Sequence, residues 1–189
     1  MEEADLVRAV LEHYRSTWGE PSFSRLHEVE DQRITVSKWP VGSGGNPQDV
    51  SLYATLGCSI HPIVGHNPTH RMEFYTGLLP ERDEVMPSLA ALAAFPRAFG
   101  GSLMSGHTLD LPGPAWPGTT MHRFLVVGPI EETMPSLSLS DGTNVEFLQG
   151  IAIYDSELEF IRRHGPDALR RRWLDKDVPF EDPNRPPSV

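Results

Sequence analysis

Apolar residues near the start of the chain follow the period of a helix. Five of them recur at spacings of three, four and seven residues: Val7, Val10, Leu11, Tyr14 and Trp18. This period predicts an amphipathic helix over residues 3–18. Gly19 and Pro21 are expected to end it.

The stretch Ser51–Ser59 predicts a buried strand that ends at a glycine. Leu52, Ala54 and Leu56 share one face by the two-residue period of a strand. Gly57 then permits a backbone conformation that a side chain would disfavour. We expect this strand and the following one to form the centre of a sheet.

The remaining pattern predicts short strands and helices that mix without strict alternation. The other strands are expected at Arg33–Pro40, Arg71–Leu79, Gly106–Pro112 (an edge strand), His122–Pro129 and Val145–Tyr154. One helix should begin near Pro87 and end at Pro96 and Gly100-Gly101. Its buried residues should be Leu89, Leu92, Ala93 and Phe95. The segment Glu131–Asn144 should be a loop. Ser156 and Glu159 form a capping-box pattern before a helix that ends at Gly165, and Pro166 starts another. The order favours an α+β fold.

Length and composition predict one domain. We expect it to span residues 1–176, followed by an extended, Pro-rich C-terminal tail over residues 177–189. No apolar run approaches the roughly 18 residues that a membrane helix needs. The acidic N-terminus is unlike a signal peptide, and the single cysteine excludes an intramolecular disulfide. A cytoplasmic protein is therefore expected.

Charge narrows the class of partner. The formal net charge is −10, and residues 1–160 alone hold 21 acidic and nine basic residues. Such a chain is a poor candidate for nucleic-acid binding, which depends on neutralising phosphates. Complementary charge favours a basic protein partner. If such a partner exists, the acidic pairs Glu131-Glu132 and Glu157/Glu159 are the first candidates for contacting it.

Three histidines in one loop raise an enzymatic alternative. His61, His66 and His70 could bind zinc or nickel, with Glu73 as a fourth ligand or a base. Their spacing matches no known metal signature, so the residues favour a polar loop without metal. The alternative to a binding protein is a small metal-assisted hydrolase built on these three histidines.

Other candidates for chemistry receive structural interpretations. Cys58 has apolar, uncharged neighbours in the sequence, which is typical of a buried, unreactive thiol. Ser105 and His107 lack the sequence context of a nucleophile elbow, and a buried, hydrogen-bonded histidine is expected there. No catalytic residue and no cofactor are predicted.

A succession of short motifs resembles the suppressor-of-fused-like domain family, which has many small bacterial members. The segments are Tyr53-Ala-Thr-Leu-Gly-Cys-Ser, Arg71-Met-Glu-Phe, Pro87 with Leu89, Leu92 and Ala93, Gly106-His-Thr-Leu, Ser156-Glu-Leu-Glu-Phe and Asn184-Arg-Pro-Pro-Ser-Val. They span residues 33–189. The chain departs from the family pattern at Cys58 and at the additional proline in the last motif.

The resemblance implies both a fold and a function. It implies a single domain with a central mixed β-sheet flanked by α-helices, and it implies protein binding without catalysis. Bacterial members are often associated with polymorphic toxin systems, so the resemblance implies an immunity protein that neutralises a toxin, with a basic toxin domain as the candidate partner. A regulatory scaffold without a toxin is the other binding interpretation. The sequence does not indicate an oligomeric state.

Overall fold

A computed structural model describes residues 2–42, 46, 48–63 and 65–189, and the described residues form four α-helices and eight strands. The helices are α1 (Glu3–Trp18), α2 (Met86–Phe99), α3 (Asp155–His164) and α4 (Pro166–Asp175). The strands are β1 (Phe23–Val29), β2 (Gln32–Trp39), β3 (Ser51–Leu56), β4 (His70–Leu78), β5 (Thr108–Asp110), β6 (Arg123–Val127), β7 (Leu137–Ser138) and β8 (Asn144–Ile153).

The strands form one mixed sheet in the order β1-β2-β3-β4-β8-β6-β5, and β7 pairs with the beginning of β8. Neighbours are antiparallel except for β4 and β8, which run parallel at the centre of the sheet. Helices cover both faces. The predicted α+β class, with a mixed sheet flanked by helices, is confirmed.

Three apolar clusters attach the helices to the sheet. Helix α2 buries Leu89, Leu92 and Ala93 against one face, as predicted. Helix α1 places Leu6, Val10, Tyr14 and Trp18 on the other face, beside Trp39, Tyr75 and Phe147. The third cluster joins α3, α4 and residues 178–189 to β6 and β8. No helix in the described ranges is both long and apolar enough to span a bilayer.

Several elements differ from the sequence prediction. Strand β1 was not predicted, since most of its residues are exposed and give no apolar period. Helix α2 continues through Pro96 to Phe99, and the segment predicted as a loop after residue 131 contains β7. The capping contact before α3 is made by Glu157 and not by Glu159, because Oε2 of Glu157 accepts a hydrogen bond from the Tyr154 N–H at 3.0 Å. The sequence Gly42-Ser-Gly-Gly-Asn-Pro predicts a flexible turn, but most of this segment lies outside the residues that the structure describes.

The end of β3 is organised around the buried carboxylate of Glu73. The hydroxyls of Thr55 and Ser59 each donate to it at 2.6 Å, and the N–H groups of Gly57 and Ser59 each donate at 2.9 Å. Glu73 is fully buried. Because a buried carboxylate is costly unless it is hydrogen-bonded, these four donors fix the path of the chain after β3.

Gly57 can follow this path because it has no side chain. Its φ is +135°, and a Cβ built there would lie 2.7 Å from the backbone oxygen of Arg33. Both the backbone angle and the approach of β2 therefore require glycine.

A second buried carboxylate, that of Glu157, holds the C-terminal segment. Arg185 donates to both of its oxygens, at 2.7 and 2.8 Å, and neither side chain is exposed. The Ser188 hydroxyl adds a hydrogen bond at 2.7 Å, and the Trp173 indole N–H donates at 3.3 Å. Residues 177–189 contain no helix or strand, yet this network packs them against α3 and α4. The domain boundary at residue 176 stays a prediction.

The surroundings of Glu157 also determine the charge state of its carboxyl group. Burial by itself raises the pKa, but hydrogen bonds from Arg185 and its positive charge outweigh burial and hold the pKa of Glu157 below its ordinary value. The guanidinium of Arg185 lies over the rings of Tyr154 and Trp173 as well. The pair is therefore ionised in the folded protein, with both carboxylate oxygens of Glu157 and both terminal nitrogens of Arg185 hydrogen-bonded and the Arg185 Nε without a partner among the described residues.

Replacing Gly57 with alanine should destabilise the protein by about 2–4 kcal/mol, because backbone strain adds to the clash with the Arg33 carbonyl. Urea unfolding measures the change. Gly113→Ala is the matched control, since a Cβ at Gly113 meets no atom within 4 Å. Equal effects of the two substitutions would contradict the proposed reason.

Arg185→Met should destabilise the protein by about 3–5 kcal/mol, because it leaves the Glu157 carboxylate buried without its cation. Arg162→Ala, which breaks the exposed pair with Glu159, should change stability by less than about 1 kcal/mol. Urea unfolding at pH 7 compares the variants.

The same pair has a testable pH dependence. Folding lowers the pKa of Glu157. The contribution of the ion pair to the free energy of unfolding is therefore complete above the ordinary carboxyl pKa of 4.5, and it is lost as the pH falls through the pKa that Glu157 has in the folded protein. The difference in unfolding free energy between wild type and Arg185→Met should shrink in that acidic range. A difference that stays constant down to pH 3 would contradict the assignment.

Candidate protein-binding groove

An apolar groove with a volume of about 320 Å³ lies beside α2. It is formed by one side of the helix, by the turn after β1 and by the segment that begins at β5. The lining residues are Val29, Glu30, Ala91, Ala94, Phe95, Ala98, Phe99, Leu109, Asp110, Leu111 and Pro112. Helix α2 is thus apolar toward the sheet and toward the groove.

The groove has a small-residue floor and an aromatic end. Ala91, Ala94 and Ala98 present only methyl groups, which leaves room for the side chains of another molecule. Phe95 and Phe99 lie one helical turn apart, with ring centroids separated by 5.2 Å. Phe99 is 67% exposed, so a large apolar ring projects into solvent next to an apolar channel. Such a combination is typical of a binding surface.

An unpaired strand edge runs along one side of the groove. Strand β5 pairs only with β6 in the described sheet, so its other edge offers free backbone groups. Leu109 and Leu111, on and just after this strand, line the groove. An extended segment entering the groove can therefore form backbone hydrogen bonds and bury apolar side chains together.

The rim of the groove is acidic. Glu30 and Asp110 line it, and Asp31 follows Glu30 in the same turn. Asp110 is fixed by Arg123, whose Nε donates to it at 2.7 Å, and Arg123 also pairs with the exposed Asp155. No lining residue carries a basic side chain. The groove thus favours an occupant with positive charge beside apolar groups.

The structure does not bring the three loop histidines together. His61 lies 2.8 Å from the Arg97 guanidinium, and burial together with this cation lowers its pKa. His70 instead bonds Glu146 at 2.9 Å, and its ring lies 6.5 Å from that of His66. The carboxylate of Glu73 accepts its hydrogen bonds at the end of β3, away from these histidines. Among the described residues, no group of three or more His, Cys, Asp or Glu side chains is arranged to hold a metal ion.

The acidic candidates fall in different environments. Glu131, Glu132 and Glu159 are exposed; Glu131 accepts hydrogen bonds from Ser136, and Glu159 pairs with Arg162. Glu157 was wrongly placed on the surface: it is fully buried with Arg185 and cannot contact a partner. The pattern Ser-Glu-Leu-Glu gave no reason to separate its two glutamates, because the arginine that buries one of them lies 28 residues later.

Two further candidates can be located. Cys58 is buried, and burial together with the charge of Glu73 raises the pKa of its thiol, which agrees with an unreactive cysteine. His107 is exposed rather than buried; its Nδ1 lies 3.1 Å from the Ser102 carbonyl oxygen. Ser105 is exposed too and makes no hydrogen bond to it among those of the described residues.

Sequence reasoning missed the groove itself. It placed Phe95 in the core and took Pro96 together with Gly100-Gly101 as the end of the helix, so the aromatic end of the groove was not anticipated. The available signal was the i, i+4 spacing of the two phenylalanines beyond the buried residues of the helix. The contribution of β1 was out of reach, since that strand has no apolar period.

Comparison with known structures finds the same fold in several proteins. A protein from Neisseria gonorrhoeae assigned as a SUFU (suppressor of fused protein) homolog has 20% sequence identity and a TM-score of 0.74, with 98% of each chain covered. A Sufu–Fu complex matches at 14% identity and a TM-score of 0.62, covering 89% of this chain and 82% of that one. Drosophila Suppressor of Fused matches at 16% identity and 0.61, covering 88% of this chain and 45% of that protein.

Sequence comparison extends these structural similarities. No match is found among curated proteins. A family model, that of suppressor of fused protein (SUFU), matches residues 31–186, which is most of the chain. The chain belongs to the suppressor of fused protein (SUFU) family.

Proposed function

We propose that this chain is a non-enzymatic protein-binding module whose groove beside α2 receives an extended segment of a basic partner. The observation that carries the proposal is the apolar channel between Phe99 and the free edge of β5, bordered by Glu30 and Asp110. Among the similar structures is a complex of Sufu with Fu, so protein binding is known for a protein of this fold.

The chemistry of the groove suggests how a segment binds. Backbone groups at the edge of β5 supply hydrogen bonds, and the alanine floor with Phe95 and Phe99 accepts apolar side chains. The acidic rim attracts positive charge and disfavours acidic segments. The expected sequence in the partner therefore alternates apolar residues with Lys or Arg.

We further propose, on the family resemblance and the charge of −10, that the partner is a basic toxin domain and that the chain is its immunity protein. Neutralisation would follow from occlusion of the toxin's active site. A regulatory scaffold with no toxin partner needs the same groove and is the alternative.

Selection of displayed eight-residue peptides against the purified protein tests the groove. We expect enriched sequences that alternate apolar and basic residues. Ala98→Arg, at an exposed lining residue, should weaken binding at least tenfold because it fills the channel and adds positive charge. Leu174→Arg is the control, because Leu174 is 77% exposed on α4 and does not line the groove. Equal binding by wild type and Ala98→Arg would refute the groove as the binding site.

Co-expression tests the immunity role. The gene is expressed together with a basic toxin domain encoded beside it in its genome, and growth is measured. We expect wild type to protect the cells, Leu174→Arg to protect them equally and Ala98→Arg to fail. Peptide binding without protection would leave the groove proposal intact and reject the toxin in favour of a scaffold.

A further inference from the structure

The first strand of the sheet has an open edge on which exposed apolar residues lie. Strand β1 pairs only with β2 in the described sheet and forms the end opposite to β5. It is seven residues long, and Phe23 and Leu26 are 41% and 45% exposed. Two of the large hydrophobic residues that are exposed on this protein thus lie on one edge strand.

The two edges of the sheet differ in how they are protected. Proteins usually shield an edge strand by making it short or by placing a proline, a bulge or a lysine on it. Strand β5 has three residues and is followed within two positions by Pro112. Strand β1 has seven residues, no proline and no lysine, and its pairing with β2 is regular throughout; its only charged residues are Arg25 and Glu28. It is therefore suited to pairing with a further strand.

The turn after β1 determines which backbone groups face outward. Glu30 and Asp31 both have positive φ, 46° and 60°, as a two-residue hairpin turn requires. Val29 and Gln32 close this turn and exchange hydrogen bonds, so Val29 and every second residue before it direct their backbone groups toward β2. The N–H and C=O groups of Ser24, Leu26 and Glu28 consequently point to the free edge. The hydrogen bonds of the described residues include none to these groups.

The outward backbone groups of Ser24, Leu26 and Glu28 can pair with the same groups of a second copy. If two β1 strands pair antiparallel around Leu26, Ser24, Leu26 and Glu28 of one copy meet Glu28, Leu26 and Ser24 of the other, and all the outward groups form hydrogen bonds. In the same register Leu26 lies opposite Leu26, and Phe23 lies opposite Val29. The exposed apolar residues of the strand are thus matched with apolar residues, and the serine hydroxyl lies across from a carboxylate.

The charge of the first hairpin allows two copies to approach each other although the whole chain is acidic. The hairpin over residues 23–39 carries Arg25, Arg33 and Lys38 against Glu28, Glu30 and Asp31, so it is formally neutral. Two copies that each carry −10 can meet through this hairpin with little repulsion. In the pairing centred on Leu26, Arg25 lies opposite His27. Burial and the charge of Arg25 lower the pKa of His27, which disfavours a second positive charge beside Arg25.

We propose that β1 is a homodimer interface, in which two copies of this chain join their sheets across a two-fold axis at Leu26. The occupant is a second copy because the register satisfies every outward backbone group and pairs every exposed apolar residue of the strand with itself or with Val29. Backbone pairing alone would accept any extended strand, but the matched apolar pairs and the formal neutrality of the hairpin favour a second copy. The interface is small, so the dimer should exchange with monomer at accessible concentrations.

Sedimentation velocity over a range of protein concentrations tests the dimer. As the protein concentration increases, the average mass of wild type is expected to rise from the monomer mass of 21.1 kDa toward twice that mass. Ser24→Pro removes one outward N–H from each copy and leaves the backbone hydrogen bonds to β2 in place, although the 2.8 Å hydrogen bond between the Ser24 and Ser37 hydroxyls is lost. Dimerisation should therefore weaken about tenfold or more. Leu174→Lys, a charge on an exposed leucine away from the sheet edge, should leave it unchanged.

Cross-linking tests the register and does not depend on the strength of the dimer. Leu26→Cys should form a disulfide-linked dimer on mild oxidation, because facing Cα atoms in such a pair lie about 5.5 Å apart. Glu28→Cys is on the same face of the same strand, but its two copies would be about 14 Å apart and should not link. The natural Cys58 is buried and should not interfere.

Three outcomes would overturn the proposal: wild type that stays monomeric at all concentrations, a dimer that Ser24→Pro leaves unchanged, or linkage through Glu28→Cys in preference to Leu26→Cys. The last two would mean that another surface or another register joins the copies. The groove beside α2 adjoins this interface at Val29, which lines the groove and faces Phe23 of the second copy, but the groove is tested separately by peptide binding.

Discussion

A carboxylate that leaves water must be given hydrogen-bond donors inside the protein, and this constraint governs both halves of the structure. Glu73 takes its donors from the end of β3 and from the chain that follows it, so the central strands and the turn at Gly57 are joined. Glu157 takes its donors from residues 185 and 188, so the C-terminal segment is joined to α3. Neither glutamate supplies a reactive group. Each determines where an irregular segment runs, and removing the donors costs more than the contacts themselves contribute.

The sequence predicts those parts of the fold that have a periodic apolar pattern. Helix α1 was predicted with its observed bounds because Val10, Tyr14 and Trp18 recur at helical spacing. The strand at Ser51 and the break at Gly57 were recognised for the same kind of reason. Strand β1 was missed because an edge strand exposed on both faces has no such pattern. Prolines misled the prediction for α2, where Pro96 lies inside the helix.

The sequence predicted less of the candidate site than of the fold. A groove requires that distant segments meet, and here a hairpin turn at Glu30 meets α2 and the region of Leu109. Charge and family resemblance indicated a basic protein partner without locating it. Glu157 shows the opposite failure, since its neighbours in the sequence suggested the surface while its partner Arg185, distant in the chain, removes it from solvent.

The order of the donors along the chain has a consequence for synthesis. Thr55, Gly57 and Ser59 precede Glu73, so every part of that network is present once β4 has been made. Arg185 and Ser188 follow Glu157 by 28 and 31 residues. At about 5–20 residues per second, translation separates these events by a few seconds. During that interval α3 carries a carboxylate whose cation does not yet exist, so the buried site around Glu157 cannot be completed before residues 185 and 188 have been made.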